Sequence, residues 1–169
     1  MKKIVISLLF GQLLLQYTYI SCVAQNQMEL IDTLHQYSNY SDIWGFKDDD
    51  GSEYAIMGTN GGFTFIRISD PINQSFIPQQ VGFISVTNDH SNKDIKTYFD
   101  DSGNKYAYLV TDGLNEGLKI VDLSGLPAAV NLVDSLVFSG FERIHNVYID
   151  VPSKRLFLCN IRPWAIIPA

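Results

Sequence analysis

Three stretches of this chain stand at a fixed interval. Asp42-Ile43-Trp44 is answered by Asp94-Ile95-Lys96 and again by Asn146-Val147-Tyr148, each 52 residues after the last. The residues within each interval read as strands. Around Thr64-Phe65-Ile66-Arg67-Ile68-Ser69, Ile66 and Ile68 share one face, the period-2 signature of a strand. No window of similar length carries a convincing 3.6-residue period. The first module predicts strands near 42–46, 54–59, 62–69 and 80–86. The second predicts them near 94–99, 106–111, 117–123 and 130–138.

Turn chemistry punctuates these runs. Asp48-Asp49-Asp50-Gly51 and Asp101-Ser102-Gly103-Asn104 sit at matching places. Glycine accepts a positive φ there, and Asp or Ser bonds its own backbone nearby. The next connection differs. Asn60-Gly61-Gly62 becomes the longer Asp112-Gly113-Leu114-Asn115-Glu116-Gly117, the kind of insertion that repeat proteins gather on one face. A strand-rich period near 52 residues predicts an all-β fold, an incomplete β-propeller of four-stranded blades. Such blades cannot bury their faces alone. The modules fall at about 42–93, 94–145 and 146–169. The third offers strands at Asn146–Asp150 and Lys154–Asn160, and Pro163 and Pro168 argue against a central strand after them. Leu30-Ile31-Asp32-Thr33-Leu34 resembles Leu132-Val133-Asp134-Ser135-Leu136, so it is expected to form an outermost strand ahead of the first inner one. The expectation is therefore the front part of a longer ring, with open strand edges that invite aggregation or pairing.

Residues 1–24 read as a secretory signal peptide: Lys2-Lys3, an apolar run from Ile4 to Leu15, then small residues ending at Ala24. The apolar run is too short and broken for a good membrane span. Ser21-Cys22 offers a lipid anchor at Cys22 as the alternative. Loss of Lys2 and Lys3 takes the formal charge from −6 to −8. So acidic a chain is a poor ligand for nucleic acid, and no basic amphipathic stretch suits an anionic membrane. The expected partners are proteins, peptides or glycans at a cell surface. Cys159, inside Leu156-Phe157-Leu158-Cys159, reads as a small buried hydrophobe rather than a nucleophile.

The strings Tyr40-Ser41-Asp42-Ile43-Trp44-Gly45-Phe46, Ile68-Ser69-Asp70-Pro71, Val81-Gly82-Phe83-Ile84, Asp94-Ile95-Lys96-Thr97-Tyr98, Leu118-Lys119-Ile120-Val121-Asp122-Leu123 and His145-Asn146-Val147-Tyr148-Ile149-Asp150 resemble the LVIVD-repeat proteins, and within them the choice-of-anchor B family of exported proteins. The resemblance covers roughly residues 28–160. It implies a propeller-like domain, secreted or attached to the cell surface. It brings no catalytic residues with it.

The candidate ligand-binding residues are Asp42, Asp94, His145 and Asn146. Asp42, Asp94 and Asn146 share one register at the start of the expected innermost strands. Pointed into a central channel, they would gather a polar ligand or Ca²⁺, which takes hard oxygen ligands. The competing reading gives each a structural task, capping a turn through backbone N–H groups. His145 is a base or metal ligand by residue type, yet its equivalents by the 52-residue step are Lys93 and Ser41. His35 and His90 stand 55 apart and are not one repeated position. No zinc spacing, EF-hand, phosphate loop or nucleophile elbow is present. Asp48-Asp49-Asp50-Gly51-Ser52-Glu53 reads as a solvated hairpin. Asn39-Tyr40-Ser41 and Asn73-Gln74-Ser75 fit the glycosylation pattern, which is silent in most bacteria. The function expected is a surface or secreted binding module without catalysis. The alternatives are a propeller hydrolase or lyase using channel-mouth Asp and His, and a nonfunctional piece of a longer gene.

Overall fold

The computed structural model describes residues 30, 32–70, 72, 76, 78–88, 93–139, 143–160 and 165–168, and every statement below concerns these. The leader, Cys22, His90 and Asn73 lie outside them. The chain divides into Met1–Ile31 and Asp32–Ala169, and all the strands belong to the second part.

No helix occurs among the described residues. Sheet 1 is β1 (Tyr40–Lys47), β2 (Glu53–Thr59), β3 (Gly62–Ser69) and β4 (Gln79–Ser85). Sheet 2 is β5 (Lys93–Phe99), β6 (Lys105–Thr111), β7 (Leu118–Asp122) and β8 (Asn131–Leu136). Sheet 3 holds β9 (Ile144–Asp150), β10 (Arg155–Asn160) and β11 (Ala165–Pro168). Within each sheet, consecutive strands lie side by side and antiparallel. The fold is therefore all-β, built from antiparallel meanders.

The predicted strands of modules one and two are all present, their ends within two residues. Register repeats as well. Ile43 faces Met57 and Ile95 faces Leu109, while Val147 faces Leu158 because the third hairpin is shorter. Both five-residue hairpin loops close alike: Asp48 N–H donates to Ser52 O and Asp100 N–H to Asn104 O. Gly51 and Gly103 take φ of 89° and 84°, which a side chain would resist.

One expectation fails, and another, that the tail prolines argue against a central strand, holds in its own terms. Residues 32–34 lie in no strand, because a strand needs a ladder partner and none of the described strands pairs with them. Conversely, the proline-bearing tail does supply a strand. β11 pairs with β10 alone, so it is an edge strand, where proline is tolerated.

Two cores lie between the sheets. The first joins Ile56, Phe63, Phe65 and Ile84 of sheet 1 to Ile95, Ala107, Leu109 and Val121 of sheet 2. The second joins Val110 and Leu118 of sheet 2 to Ile144, Val147, Leu156 and Leu158 of sheet 3. Alternation explains the division. In β6, Ala107 and Leu109 serve the first core, while Tyr108 and Val110 serve the second. At β6, sheet 2 is thus covered on both faces, which is why Tyr106–Val110 reads as a nearly continuous apolar run, whereas its outer strand β8 is exposed. Each buried Leu, Ile, Val or Phe contributes roughly 1.5–3 kcal/mol. Between sheets, the first strands meet: β1 adjoins β5, and β5 adjoins β9.

Candidate functional site

The starts of β1, β5 and β9 bring Asp42, Asp94 and Asn146 into one row. Asp42 Oδ2 accepts the Ile95 N–H at 3.1 Å. Asp94 Oδ2 accepts the Val147 N–H at 2.8 Å and the Asn146 Nδ2 at 3.3 Å. Each carboxylate therefore reaches 53 residues along the chain and clasps the first strand of the next sheet. The expected capping role is correct in kind, since backbone N–H groups are the donors. It is corrected in place: besides the adjacent Ile95 amide, which Asp94 Oδ1 accepts at 2.9 Å, the amides belong to the neighbouring sheet and not to a local turn.

The two carboxylates are not equivalent. Burial, together with the adjacent Asp94 carboxyl, pushes Asp42 above the ordinary carboxylate range. Burial acts in the same direction on Asp94 but is outweighed. The Lys96 ammonium, 2.6 Å from Oδ1, and the Val147 and Ile95 amides hold Asp94 below that range. Lys96 in turn lies 4.5 Å from the centre of the Trp44 ring, a cation–π contact across the seam. Trp44 Nε1–H donates to Thr97 Oγ1 at 2.9 Å, again from sheet 1 to sheet 2.

His145 belongs to a different cluster. Its Nδ1 lies 2.9 Å from Asp112 Oδ1 and 3.0 Å from Oδ2. Asp112 is buried, and its backbone oxygen accepts Arg143 NH1 at 2.8 Å. A carboxylate beside Nδ1 favours the tautomer that protonates that nitrogen and leaves Nε2 as the acceptor. The sequence candidates thus separate into an Asp42–Asp94–Asn146 row and a His145–Asp112 pair.

Two residues of consequence escape a reading by repeats. Asp112 and Glu116 both sit in the inserted β6–β7 loop. Glu116 Oε1 accepts Thr87 N–H at 2.7 Å and Asn88 N–H at 2.6 Å, and its Oε2 pairs with Lys119 Nζ at 2.9 Å. Those contacts hold Glu116 below its ordinary range although burial pushes it up. Gly113 permits the approach: a Cβ there would fall 2.0 Å from Asn88 O. The signal was the insertion itself, acids at either end of a glycine-bracketed loop. This one loop fastens both the link from sheet 1 to sheet 2 and the entry to sheet 3.

The acidic hairpin 48–53 is an ion-pairing element. Lys105, which starts β6, pairs with Asp48 and, at 2.8 Å, with Asp49. Lys154 repeats this one sheet on, 2.7 Å from Asp101. Among the described residues, no group of three or more His, Cys, Asp or Glu is placed to hold a metal ion. No family model, no curated protein and no solved structure matches the chain.

Proposed function

We propose that the three sheets are successive blades of a β-propeller and that the protein is an exported binding module, engaging a protein, peptide or glycan without chemistry on it. The propeller reading is supported by the meander within each sheet, the neighbouring first strands and the clasp repeated at the 52-residue period. Export rests on the leader-like start and on the resemblance to the LVIVD-repeat and choice-of-anchor B proteins.

One observation carries binding over catalysis. The repeated acids, the natural candidates for channel-mouth chemistry, are already engaged with backbone amides and Lys96, so they form a scaffold. The loops at the sheet ends remain to meet a partner. Protein and glycan arrays probed with the product of the whole reading frame test this; saturable binding that survives Asp42→Asn is expected, and no binding to any class refutes it.

The alternative of a hydrolase or lyase draws on the His145–Asp112 pair, which orients an imidazole as a base would be oriented. A broad hydrolase panel comparing the wild type with His145→Ala decides it. Turnover lost in the variant supports catalysis; no turnover in either removes it.

A further inference from the structure

The turn between β2 and β3 is Asn60-Gly61, and no other asparagine of the chain is followed by glycine. Gly61 takes a φ of 83°, and at Gly62 a Cβ would lie 2.2 Å from Ile84 O, so both glycines answer to the backbone. Asn60 is exposed and ties down the lead-in to β1. Its Oδ1 accepts the Ser38 N–H at 3.2 Å, and its own N–H donates to Asn39 O at 3.2 Å. Gly61 O accepts the Val86 N–H at 2.9 Å, so the same turn also braces the exit from β4.

Three conditions for closing an asparagine side chain onto its own main chain meet here. The attacking nitrogen is free: Gly61 N–H donates to no group among the described residues, and its residue carries no side chain to shield it. The carbonyl is primed: the Ser38 N–H already points at Oδ1, where negative charge develops on attack. The leaving group is loose: Asn60 Nδ2 bonds no group among the described residues. Other asparagines are held. Asn88 Nδ2 donates to Leu114 O, Asn104 Nδ2 to Asp100 and Asn146 Nδ2 to Asp94. Asn115 precedes Glu116, whose N–H is engaged by Gly113 O at 3.3 Å.

We propose that Asn60 is a site of spontaneous deamidation, and that its isoaspartyl product frees the lead-in to β1 from sheet 1. The Gly61 nitrogen gives up its proton to solvent and bonds to Asn60 Cγ. The Cγ–Nδ2 bond breaks, and ammonia leaves with a proton returned by solvent. The cyclic imide then takes up water. Opening at Cγ leaves an aspartate on the original main chain, whereas opening at the α-carbonyl routes the main chain through Cγ as isoaspartate. Water enters, ammonia leaves, and nothing is oxidised or reduced. Aspartate keeps an acceptor for the Ser38 N–H. Isoaspartate inserts a methylene into the main chain between Thr59 and Gly62, which pair across the hairpin and share the Thr59 Oγ1–Gly62 O bond at 3.3 Å. The side-chain acceptor for Ser38 disappears into the backbone at the same moment. The inference rests on the turn alone and is independent of any binding role.

The test holds the folded product of the whole reading frame at mildly alkaline pH and follows each asparagine by peptide mapping, with isoaspartyl methyltransferase labelling. The Asn60 peptide is expected to gain the mass difference between OH and NH2 and to split into aspartyl and isoaspartyl forms. It should do so at least about tenfold faster than the peptides of Asn104 and Asn115, the effect of a modestly lower barrier. Asn60→Gln, which would need a larger ring, should stay unmodified. The isoaspartyl form, isolated by chromatography, should be cut by protease at 36–39 faster than the wild type, and Asn60→Asp should be cut at the wild-type rate. An Asn60 that keeps its amide as long as Asn104 does overturns the proposal. So does an isoaspartyl form cut no faster than the wild type.

Discussion

Replacing Asp94 by alanine removes the carboxylate that joins sheet 2 to sheet 3. The Val147 amide, buried and 2.8 Å from Oδ2, is left without its acceptor. An unsatisfied buried donor costs about 1–3 kcal/mol. Lys96 loses the carboxylate at 2.6 Å but keeps Ile95 O at 2.8 Å and the Trp44 ring, so its share falls below that of a fully buried broken pair. Together the loss is about 3 kcal/mol, equivalent to a fall in Tm of roughly 6–12 °C for a chain of this size. Asp42→Ala is the internal control. Its amide, Ile95 N–H, still has Asp94 Oδ1 at 2.9 Å, and a like-charged neighbour disappears, so the cost stays below about 1 kcal/mol. Urea denaturation and thermal melts followed by circular dichroism measure both. Equal losses for the two variants, or a larger one for Asp42→Ala, would falsify the assignment of the clasp to Asp94.

Stability should fall with acid. Asp94 and Glu116 sit below their ordinary values when folded, so what they contribute is present at neutral pH and is lost as pH drops beneath the carboxylate range, about 4. Melting temperatures from pH 7 to 3 should decline, and the decline should be shallower in Asp94→Asn. Asp42 works in the opposite sense: its raised value favours the folded state at low pH, so Asp42→Asn should raise Tm at pH 7, and an unchanged Tm counts against the raised value. Glu116→Ala leaves the Thr87 and Asn88 amides without their acceptor and should cost about 2–4 kcal/mol, while Glu116→Gln keeps an acceptor and should cost about half as much. Gly113→Ala drives a methyl group onto Asn88 O and should break the same junction, seen as faster proteolysis near 86–88 with the sheets still folded.

Much of the architecture can be read from residue order alone, because strand and turn chemistry are local. Gly51 and Gly103 announce hairpins whatever the sheets later do, and odd and even positions of β6 announce two faces. The destinations of the polar groups cannot be read in the same way. An aspartate before an apolar strand has the same composition whether it caps its own turn or reaches 53 residues away, and only packing decides. Prolines in the tail speak against a central strand and are silent about an edge, which is how β11 escaped. Asp32-Thr33-Leu34 shows the reverse: strand-like composition without a ladder yields no strand. His145 stands out by residue type, but its partner Asp112 lies in an insertion that breaks the period, so a search by repeats separates them.

The middle sheet carries a further consequence. Where one side of a strand meets water, a slip of one residue turns grease outward, and solvent enforces alignment. Sliding β6 by one position would merely exchange Ala107 and Leu109 for Tyr108 and Val110, one oily set for another. Alignment there must come from its polar bookends: Lys105 against Asp48 and Asp49 at one tip, and at the other Asp112, whose backbone oxygen holds Arg143 and whose carboxylate holds His145. Substitutions inside β6 are then a matter of volume, whereas losing a bookend would leave the strand free to choose the wrong neighbours.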